Sequence, residues 1–589
     1  MNRRELKGTG ASRGIAIGPA RLLSRRGEPV KEPASSGPGS ADAEGVAGEV
    51  QRLRAAVDKA RAELSELAQK ARGKVGPEGE ALFEAHLLML DDPELTGRAE
   101  RLIQEENLMA ESAVEAATRE VCSRLTAVDD EYLRARADDV RDVGDRLVRI
   151  LRGEPAGCLG ALKEPVVVVA EELMPSDTLQ VDVSKVLAFL TVRGSPTSHA
   201  AILARTLGIP AVVGAHGLTQ AVEDGALVVA DGETGVVIVN PTEDELRAWR
   251  EKQRACKEQR EALLASCRLP GQTSDGHRVE VATNIGSPDH VRESLENGAE
   301  GIGLFRTEFL FMDRSSPPDE DEQFEAYRAV VAAMEGRPVI VRTLDIGGDK
   351  KIPWLGELSE ANPFLGLRGV RLTLEREDLL LTQLKAILRA AEFGDVRIMI
   401  PMVTDLTEVR RVRRVLRAAG EELKGRGRPP DEVQVGIMVE VPSAALLADE
   451  FLREVDFASV GTNDLTQYVL ATDRTNEKVQ SLADALHPAV LRLIKLVADA
   501  GHRLRKWVGV CGDLAGDPRA APLLVGLGVS ELSMAPRLIP EVKAVLRALC
   551  FDECRRLARR ALSCSTAGEV RNLLPHPAPT AGPCRSSRG

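Results

Sequence analysis

The sequence predicts a multidomain α/β protein in which a small α/β domain, interrupted by an inserted helical domain, precedes a TIM (β/α)8 barrel. Two observations carry this prediction. Eight short apolar runs recur between residues 279 and 535, and helical stretches separate most of them, as in a barrel of alternating strands and helices. Ahead of them, a long helical stretch lies between short β-rich runs, as expected for an insertion.

Composition narrows the class of protein. The chain has 589 residues, enough for three or four domains of about 100–200 residues each. Its net charge of −12 argues against nucleic-acid binding. It has no apolar run of about 18 residues and no secretory signal, so we expect no membrane insertion. The nine cysteines include no CxxC pair, and we expect a reducing cytoplasm.

The first half of the chain is expected to hold two domains. Residues 1–30 and 152–240 are assigned to the α/β domain, with 5–24 predicted as a short strand and turn. Residues 40–151 are assigned to the helical insertion. Between residues 42 and 150 there are 25 acidic and 16 basic residues, a difference of −9. This excess is either a solvated helical surface or a docking face for a basic partner.

The second half of the chain begins with a segment that is predicted to connect the α/β domain to the barrel. Residues 241–268 contain a charged helical pattern and are predicted to be a linker helix. Residues 269–574 are assigned to the barrel. Residues 575–589, rich in proline and serine, are predicted to form a disordered tail.

Polar residues end several of the predicted barrel strands, where active sites of such barrels lie. They are Asn284, Arg306, Arg342, Glu440, Asn463, Asp464 and Cys511.

These strand ends suggest a site for a small, highly anionic ligand. Glu440 and Asp464 end neighbouring strands and could hold one Mg²⁺, or each could simply pair with an arginine. Arg306, Arg342 and Arg474 supply guanidinium groups that match phosphate and carboxylate geometry. Lys350 is either a further charge at this face or a surface lysine.

Two further residues have alternative interpretations. Cys511 is either a small buried apolar residue or a proton donor to carbon or an enolate oxygen. His199, in "GSPTSHAAILART" (194–206), is predicted to lie on the first turn of a helix, which favours its neutral, nucleophilic ring. A phosphoryl group on it would be stabilised there by free backbone N–H groups. Otherwise it is a plain capping-region histidine. His86, in the helical insertion, is either a partner contact or a surface residue.

Several long motifs point to a known family. "PTSHAAILAR" resembles the phosphohistidine motif of phosphoenolpyruvate (PEP)-utilising enzymes, and "DFASVGTNDLTQYVLATDRTN" (456–476) resembles their second signature. The stretches "GIGLFRTEFLFMDR" (301–314), "RTLDIGGDK" (342–350) and "NPFLGLRGVR" (362–371) are similar to those of the enzyme I family of the bacterial phosphotransferase system. The resemblance covers residues 6–574.

The resemblance implies a reaction and its partners. His199 would take the phosphoryl group of PEP, with Mg²⁺, and release pyruvate. It would then pass the group to a histidine of the carrier HPr, docked on the helical insertion, as the first step of sugar uptake. The chain would be a homodimer through its barrel.

The resemblance also assigns roles to individual residues. Cys511 would protonate the pyruvate enolate, and Glu440 with Asp464 would bind Mg²⁺. The substrate-binding residues would be Arg306, Arg342, Arg368, Asn463, Asp464 and Arg474.

Some features depart from the family, and two other functions compete. Ser195 follows Gly194 where the family has a second glycine, and residues 27–41 are unusually rich in proline, glycine and serine. A dikinase-type enzyme would need a nucleotide-binding domain, but the first 150 residues show no glycine-rich phosphate loop. A catalytically silent regulator would be expected to lack His199, Cys511 or a metal-binding carboxylate.

Overall fold

The structure, a computed structural model, shows two compact units, Met1–Glu258 and Gln259–Gly589. It describes residues 3–23, 43–74, 77–127, 131–153, 162, 164–173, 183–194, 198, 201, 204–205, 208–312, 314–347, 353–355, 360–425, 432–474, 476 and 478–575. The predicted tail lies almost wholly outside these residues.

The first unit contains an eight-stranded mixed sheet of order β1-β8-β7-β3-β4-β5-β6-β2. β1 pairs antiparallel with β8, with Arg4 opposite Val239. The N-terminal stretch, predicted as one strand and a turn, forms three strands, because its segments pair with β8, β6 and β7. The strands are β1 Arg4–Lys7, β2 Thr9–Ser12, β3 Ile15–Leu23, β4 Val166–Ala170, β5 Val186–Thr191, β6 Ala211–Val213, β7 Leu227–Asp231 and β8 Val236–Val239.

The helical insertion leaves the sheet after β3 and returns to it at β4, which is the parallel neighbour of β3. Pro93–Gly97 within it forms a π-helical turn. Leu53, Leu64 and Phe83 belong to its own apolar core. His86 is fully buried, with Nε2 3.5 Å from Asp139 Oδ1, so neither sequence interpretation of this residue was right. The helices are α1 Ala43–Lys74, α2 Pro77–Leu90, α3 Arg98–Glu106, α4 Ala110–Ala127 and α5 Glu131–Leu151.

A short helix, α6 (Leu218–Ala221), and the predicted linker helix, α7 (Glu243–Ser266), complete this part of the chain. α7 begins with a reciprocal capping box, in which Thr242 and Glu245 satisfy each other's backbone N–H groups at 3.3 and 2.9 Å. In the first unit, Lys252 on α7 pairs with buried Asp231 at 2.8 Å.

The second unit is a closed barrel of eight parallel strands, as predicted. Each of the eight predicted apolar runs coincides with one strand to within a residue at its start, and the fold class is confirmed. The strands are β9 Glu280–Ile285, β10 Ile302–Phe305, β11 Val339–Arg342, β12 Val396–Ile400, β13 Gln434–Val439, β14 Phe457–Gly461, β15 Trp507–Cys511 and β16 Glu531–Met534.

Helices follow most of these strands and bury their apolar faces against the outside of the barrel. They are α8 His290–Glu296, α9 Glu320–Ala333, α10 Val370–Glu375, α11 Glu377–Ala390, α12 Leu406–Gly425, α13 Pro442–Leu446, α14 Ala448–Glu454, α15 Thr462–Leu470, α16 Pro488–Leu504, α17 Ala521–Leu527, α18 Ile539–Ala548, α19 Phe551–Leu562 and α20 Ala567–Leu573.

One strand end differs from the prediction. Asn463 and Asp464 were expected to end the sixth strand, but β14 ends at Gly461 and both residues lie on the first turn of α15. Asn and Asp favour helix N-termini, where the backbone N–H groups are free. Within the described part of the chain, no helix is long and apolar enough to cross a membrane.

Candidate active site

A cavity of about 340 Å³ opens at the carboxyl ends of the barrel strands. It brings together eight of the nine residues to which the family resemblance gives roles: Arg306, Arg342, Arg368, Glu440, Asn463, Asp464, Arg474 and Cys511. The ninth, His199, lies outside the described residues.

Arg342, at the end of β11, is buried and held by two carboxylates. Its Nη2 lies 2.8 Å from Glu308 Oε1, and its Nη1 lies 3.1 Å from Asp345 Oδ2. Burial opposes its charge, but Glu308, Asp345 and Glu440 together raise the pKa of the guanidinium. The group is therefore a fixed positive charge whose direction is set by its partners.

Arg368 lies beside it and shares Asp345. Its Nε and Nη2 donate to the two carboxylate oxygens of Asp345 at 3.1 and 2.8 Å. Its Nη1 donates to Asp464 Oδ1 at 3.3 Å. One buried carboxylate, Asp345, thus orients both buried guanidiniums of the cavity.

The other two arginines are differently placed. Arg306 and Arg474 are exposed to solvent. Arg306 forms no salt bridge with any residue that the structure describes, and Arg474 lies 3.6 Å from Asp464 and over the ring of Phe364. These two side chains can turn toward an anion at small cost, because little holds them elsewhere.

Glu440 is fully enclosed just after β13. Its Oε1 accepts a 2.7 Å hydrogen bond from the backbone N–H of Met402, which has a φ of 57°, rare for a residue with a side chain. Burial, reinforced by repulsion from Asp464 and Asp345, raises the pKa of Glu440 to about 8.

The carboxylates of Glu440 and Asp464 fit a hard divalent cation. Carboxylate oxygens suit Mg²⁺, and a cation between them would relieve the repulsion that holds the pKa of Glu440 high. Among the described residues, no group of three or more His, Cys, Asp or Glu side chains forms a complete metal site. Waters and a substrate would have to supply the remaining ligands, as Mg²⁺ commonly requires.

Cys511 ends β15 and is almost fully buried. Burial raises the pKa of its thiol to about 11, so the group keeps its proton at neutral pH. Thr462 donates to the Cys511 carbonyl at 3.0 Å. Gly512 follows with a φ of 110°, and a Cβ there would lie 2.5 Å from Thr462 Oγ1, so only glycine fits this turn.

The sequence prediction missed the groups that hold the arginines. Glu308 and Asp345 stand inside the motifs that were recognised, but nothing marked them as the partners of Arg342. Tyr468 was also missed. Its hydroxyl donates to the Phe364 carbonyl at 2.5 Å and accepts from Arg368 at 3.3 Å. Its place in the second signature was the available signal.

Comparison with known proteins agrees with this geometry. Residues 260–551 match the model of the PEP-utilising enzyme, PEP-binding domain, residues 7–136 the N-terminal domain, and residues 162–235 the mobile domain. A phosphoenolpyruvate-protein phosphotransferase of Geobacillus stearothermophilus is 45% identical over 571 residues, 97% of each chain. Those of Staphylococcus aureus strain Mu50 and Staphylococcus carnosus are 43% and 42% identical, covering 97% of this chain and 98% of theirs.

The chain belongs to the phosphoenolpyruvate-protein phosphotransferase family. It is a PEP-dependent phosphotransferase, and the resemblance found in its motifs is confirmed. The cavity gathers guanidiniums, carboxylates and a protonated thiol. These groups suit the substrate of this family, which carries a phosphate, a carboxylate and an enol carbon.

Proposed function

We propose that this phosphotransferase moves the phosphoryl group of PEP to His199 and then to a histidine of HPr, releasing pyruvate, as the first step of sugar uptake. The observation that carries the proposal is the meeting of Arg306, Arg342, Glu440 and Cys511 around one cavity. Such a set can bind the substrate's anionic groups and protonate its carbon within a single site.

The residues divide the chemistry among them. Arg306 and Arg474 capture the anionic groups, while Arg342 and Arg368, fixed by Asp345, stabilise charge that develops on the enolate. The ring nitrogen of His199 attacks phosphorus, and the bond from phosphorus to the enol oxygen breaks. Cys511 then gives its proton to the enolate carbon. Glu440 and Asp464 would hold Mg²⁺, which supplies positive charge to the phosphate oxygens when bound.

Mg²⁺ binding is expected to depend on pH. Because the carboxyl of Glu440 is largely neutral below pH 8 without metal, Mg²⁺ must displace its proton. Affinity should therefore rise about tenfold per pH unit up to pH 8 and level off above it. Calorimetric titration of Mg²⁺ in two buffers of different ionisation enthalpy measures both affinity and proton release. Glu440→Gln is the control variant, in which the pH dependence should disappear. A Mg²⁺ affinity of the wild-type protein that stays constant between pH 6 and 8 would contradict the prediction.

Cys511→Ala is expected to slow pyruvate formation from PEP at least about a hundredfold, because the enolate carbon loses its proton donor. Loading of His199 from phosphorylated HPr should stay near the wild-type rate, because that transfer forms no bond to carbon. Rapid-quench measurement of both reactions separates them. Full activity of the variant with PEP would show that Cys511 is not the acid.

The proposed partner and assembly have support of their own. Leu88 and Met109 are 73% and 60% exposed on the acidic helical insertion, which suits docking of a basic-faced carrier such as HPr. Leu365, Leu446 and Leu482 are exposed on segments that follow barrel strands, which suits a homodimer through the barrel. We place the enzyme in the cytoplasm, where PEP is available.

The experiment that tests the function is a labelling assay. The purified chain is mixed with PEP labelled in its phosphoryl group, with and without Mg²⁺, and acid-labile label on the protein is measured. We expect acid-labile label on the protein that requires Mg²⁺ and moves to HPr when HPr is added. A folded chain that takes no label would favour a silent regulator or another phosphoryl donor.

A further inference from the structure

A row of polar residues crosses the barrel interior beneath Cys511. Ser459 on β14 is level with Gly509 on β15, Gly509 is level with Glu531 on β16, and Glu531 is level with Glu280 on β9. Because side chains alternate along a strand, Ser459 and Gly509 share the inward face of their strands with Phe457 and Cys511.

Two polar side chains of this row, those of Ser459 and Glu531, are buried. Ser459 is 0% exposed and Glu531 is 3% exposed. Within the described part of the chain, neither Ser459 Oγ nor Glu531 Oε1 has a hydrogen-bond partner. Burying such groups unpaired costs free energy, so their retention in the core calls for a reason.

Ser459 and Glu531 are the two cross-strand neighbours of Gly509, the residue two before Cys511. Gly509 lies between Ser459 and Glu531. A Cβ placed on Gly509 would lie 3.1 Å from Glu531 Oε1, so the carboxyl of Glu531 occupies the space beside the glycine. On the other side, Ser459 is the diagonal cross-strand neighbour of Cys511 on the same inward face, and its hydroxyl lowers the pKa of the thiol, against the larger effect of burial. Other side chains around Cys511 in this layer, such as Leu304, Ile340 and Met438, are apolar.

The row ends in solvent at the amino ends of the strands. Glu280 is partly exposed there, and Arg397, the other charged group acting on Glu531, pairs with Asp395 at 2.8 Å. Burial, and then repulsion from Glu280, raises the pKa of Glu531 to about 8, against the pull of Arg397. Its carboxyl is therefore mostly protonated at neutral pH. It lies below Cys511, whose thiol is the weaker acid of the two.

We propose that Glu531 and Ser459 return a proton to Cys511 through the barrel interior after each release of pyruvate. The inference rests on the proposed role of Cys511 as the acid. Donation to the enolate carbon breaks the S–H bond and leaves a thiolate.

The return step then balances. Ser459 gives its hydroxyl proton to sulfur and takes the proton of Glu531, directly or through one water, so the thiol is restored and Glu531 becomes a carboxylate. The transfer runs downhill, since the pKa of the thiol, about 11, exceeds that of Glu531, about 8. Bulk water reprotonates Glu531 by way of Glu280.

The test compares two reactions of the full chain. Without an acceptor, labelled pyruvate exchanges into PEP because phosphoryl transfer from PEP to His199 runs forward and then backward. The proton given to the enolate carbon is taken back on the return, so the exchange consumes no proton overall. Net turnover of PEP with HPr consumes one proton per cycle. Ser459→Ala and Glu531→Gln should keep exchange within about twofold of wild type and lower net turnover about tenfold.

The control is Ser533→Ala, which removes a hydroxyl of the same interior that is already satisfied by Asn284. Its ratio of turnover to exchange should match that of wild type. Equal losses in both reactions would mean a structural role for the row, and no loss in either would mean that solvent reaches the thiol directly; both overturn the inference. Wild-type protein with neither reaction, or Cys511→Ala with full exchange, would instead overturn the proposed function.

Discussion

His199→Ala is expected to abolish uptake of the phosphoryl group from PEP, with a loss on the order of a million-fold, because it removes the only atom proposed to carry the group. The fold should survive, since the sequence predicts His199 at the start of a helix, where a side chain contributes little to a core. Acid-labile label after a fixed time with labelled PEP, together with thermal unfolding, measures both properties.

A second histidine of the same unit provides the control for this experiment. His216 is exposed, and His216→Ala should take up label as wild type does. Acid-labile label that persisted in the His199 variant, at the level seen in the control, would mean that another residue carries the phosphoryl group. The domain around it would then have to be reinterpreted.

Asp345→Ala is expected to destabilise the barrel by about 3–5 kcal/mol, because it leaves the buried guanidiniums of Arg342 and Arg368 without their shared carboxylate. Urea unfolding, followed by tryptophan fluorescence, measures the loss. Two of the three tryptophans, Trp354 and Trp507, belong to the barrel unit and report on it.

The matched control removes an aspartate from an exposed pair. Asp378 lies 2.8 Å from Arg376, with both side chains largely in solvent, and Asp378→Ala should cost less than about 1 kcal/mol. If the two variants lost similar stability, Asp345 would not be the group that holds the buried arginines. Weakened PEP binding in the Asp345 variant alone would complete the expected result.

The barrel was predictable because its strands are short apolar runs separated by helical stretches, a pattern that burial on both faces imposes. Its site was predictable because Arg342, Glu440 and Cys511 interrupt such runs where an apolar residue would pack equally well. The roles given to these residues remain proposals. What the structure adds is that one cavity collects them.

The features that the sequence did not predict depend on contacts between residues that are far apart along the chain. Asp345 follows Arg342 by three residues, but only the folded chain shows that it also reaches Arg368, far along the sequence. The polar row of Ser459, Gly509 and Glu531 comes from three consecutive strands, and only the register of their pairing shows that these residues are level with one another. Likewise, the three N-terminal strands pair with partners about 200 residues away, which no local pattern reveals.

The pairing of β1 with β8 has a consequence for biosynthesis. Arg4 leaves the ribosome long before Val239, its neighbour in the sheet, has been made. At 5–20 residues per second, the first strand waits roughly 10–50 s for its partner. The helical insertion, whose contacts are local, can fold during that interval. The nascent chain therefore exposes unpaired strand edges for much of its synthesis, and these edges are where a chaperone that shields extended segments would be needed.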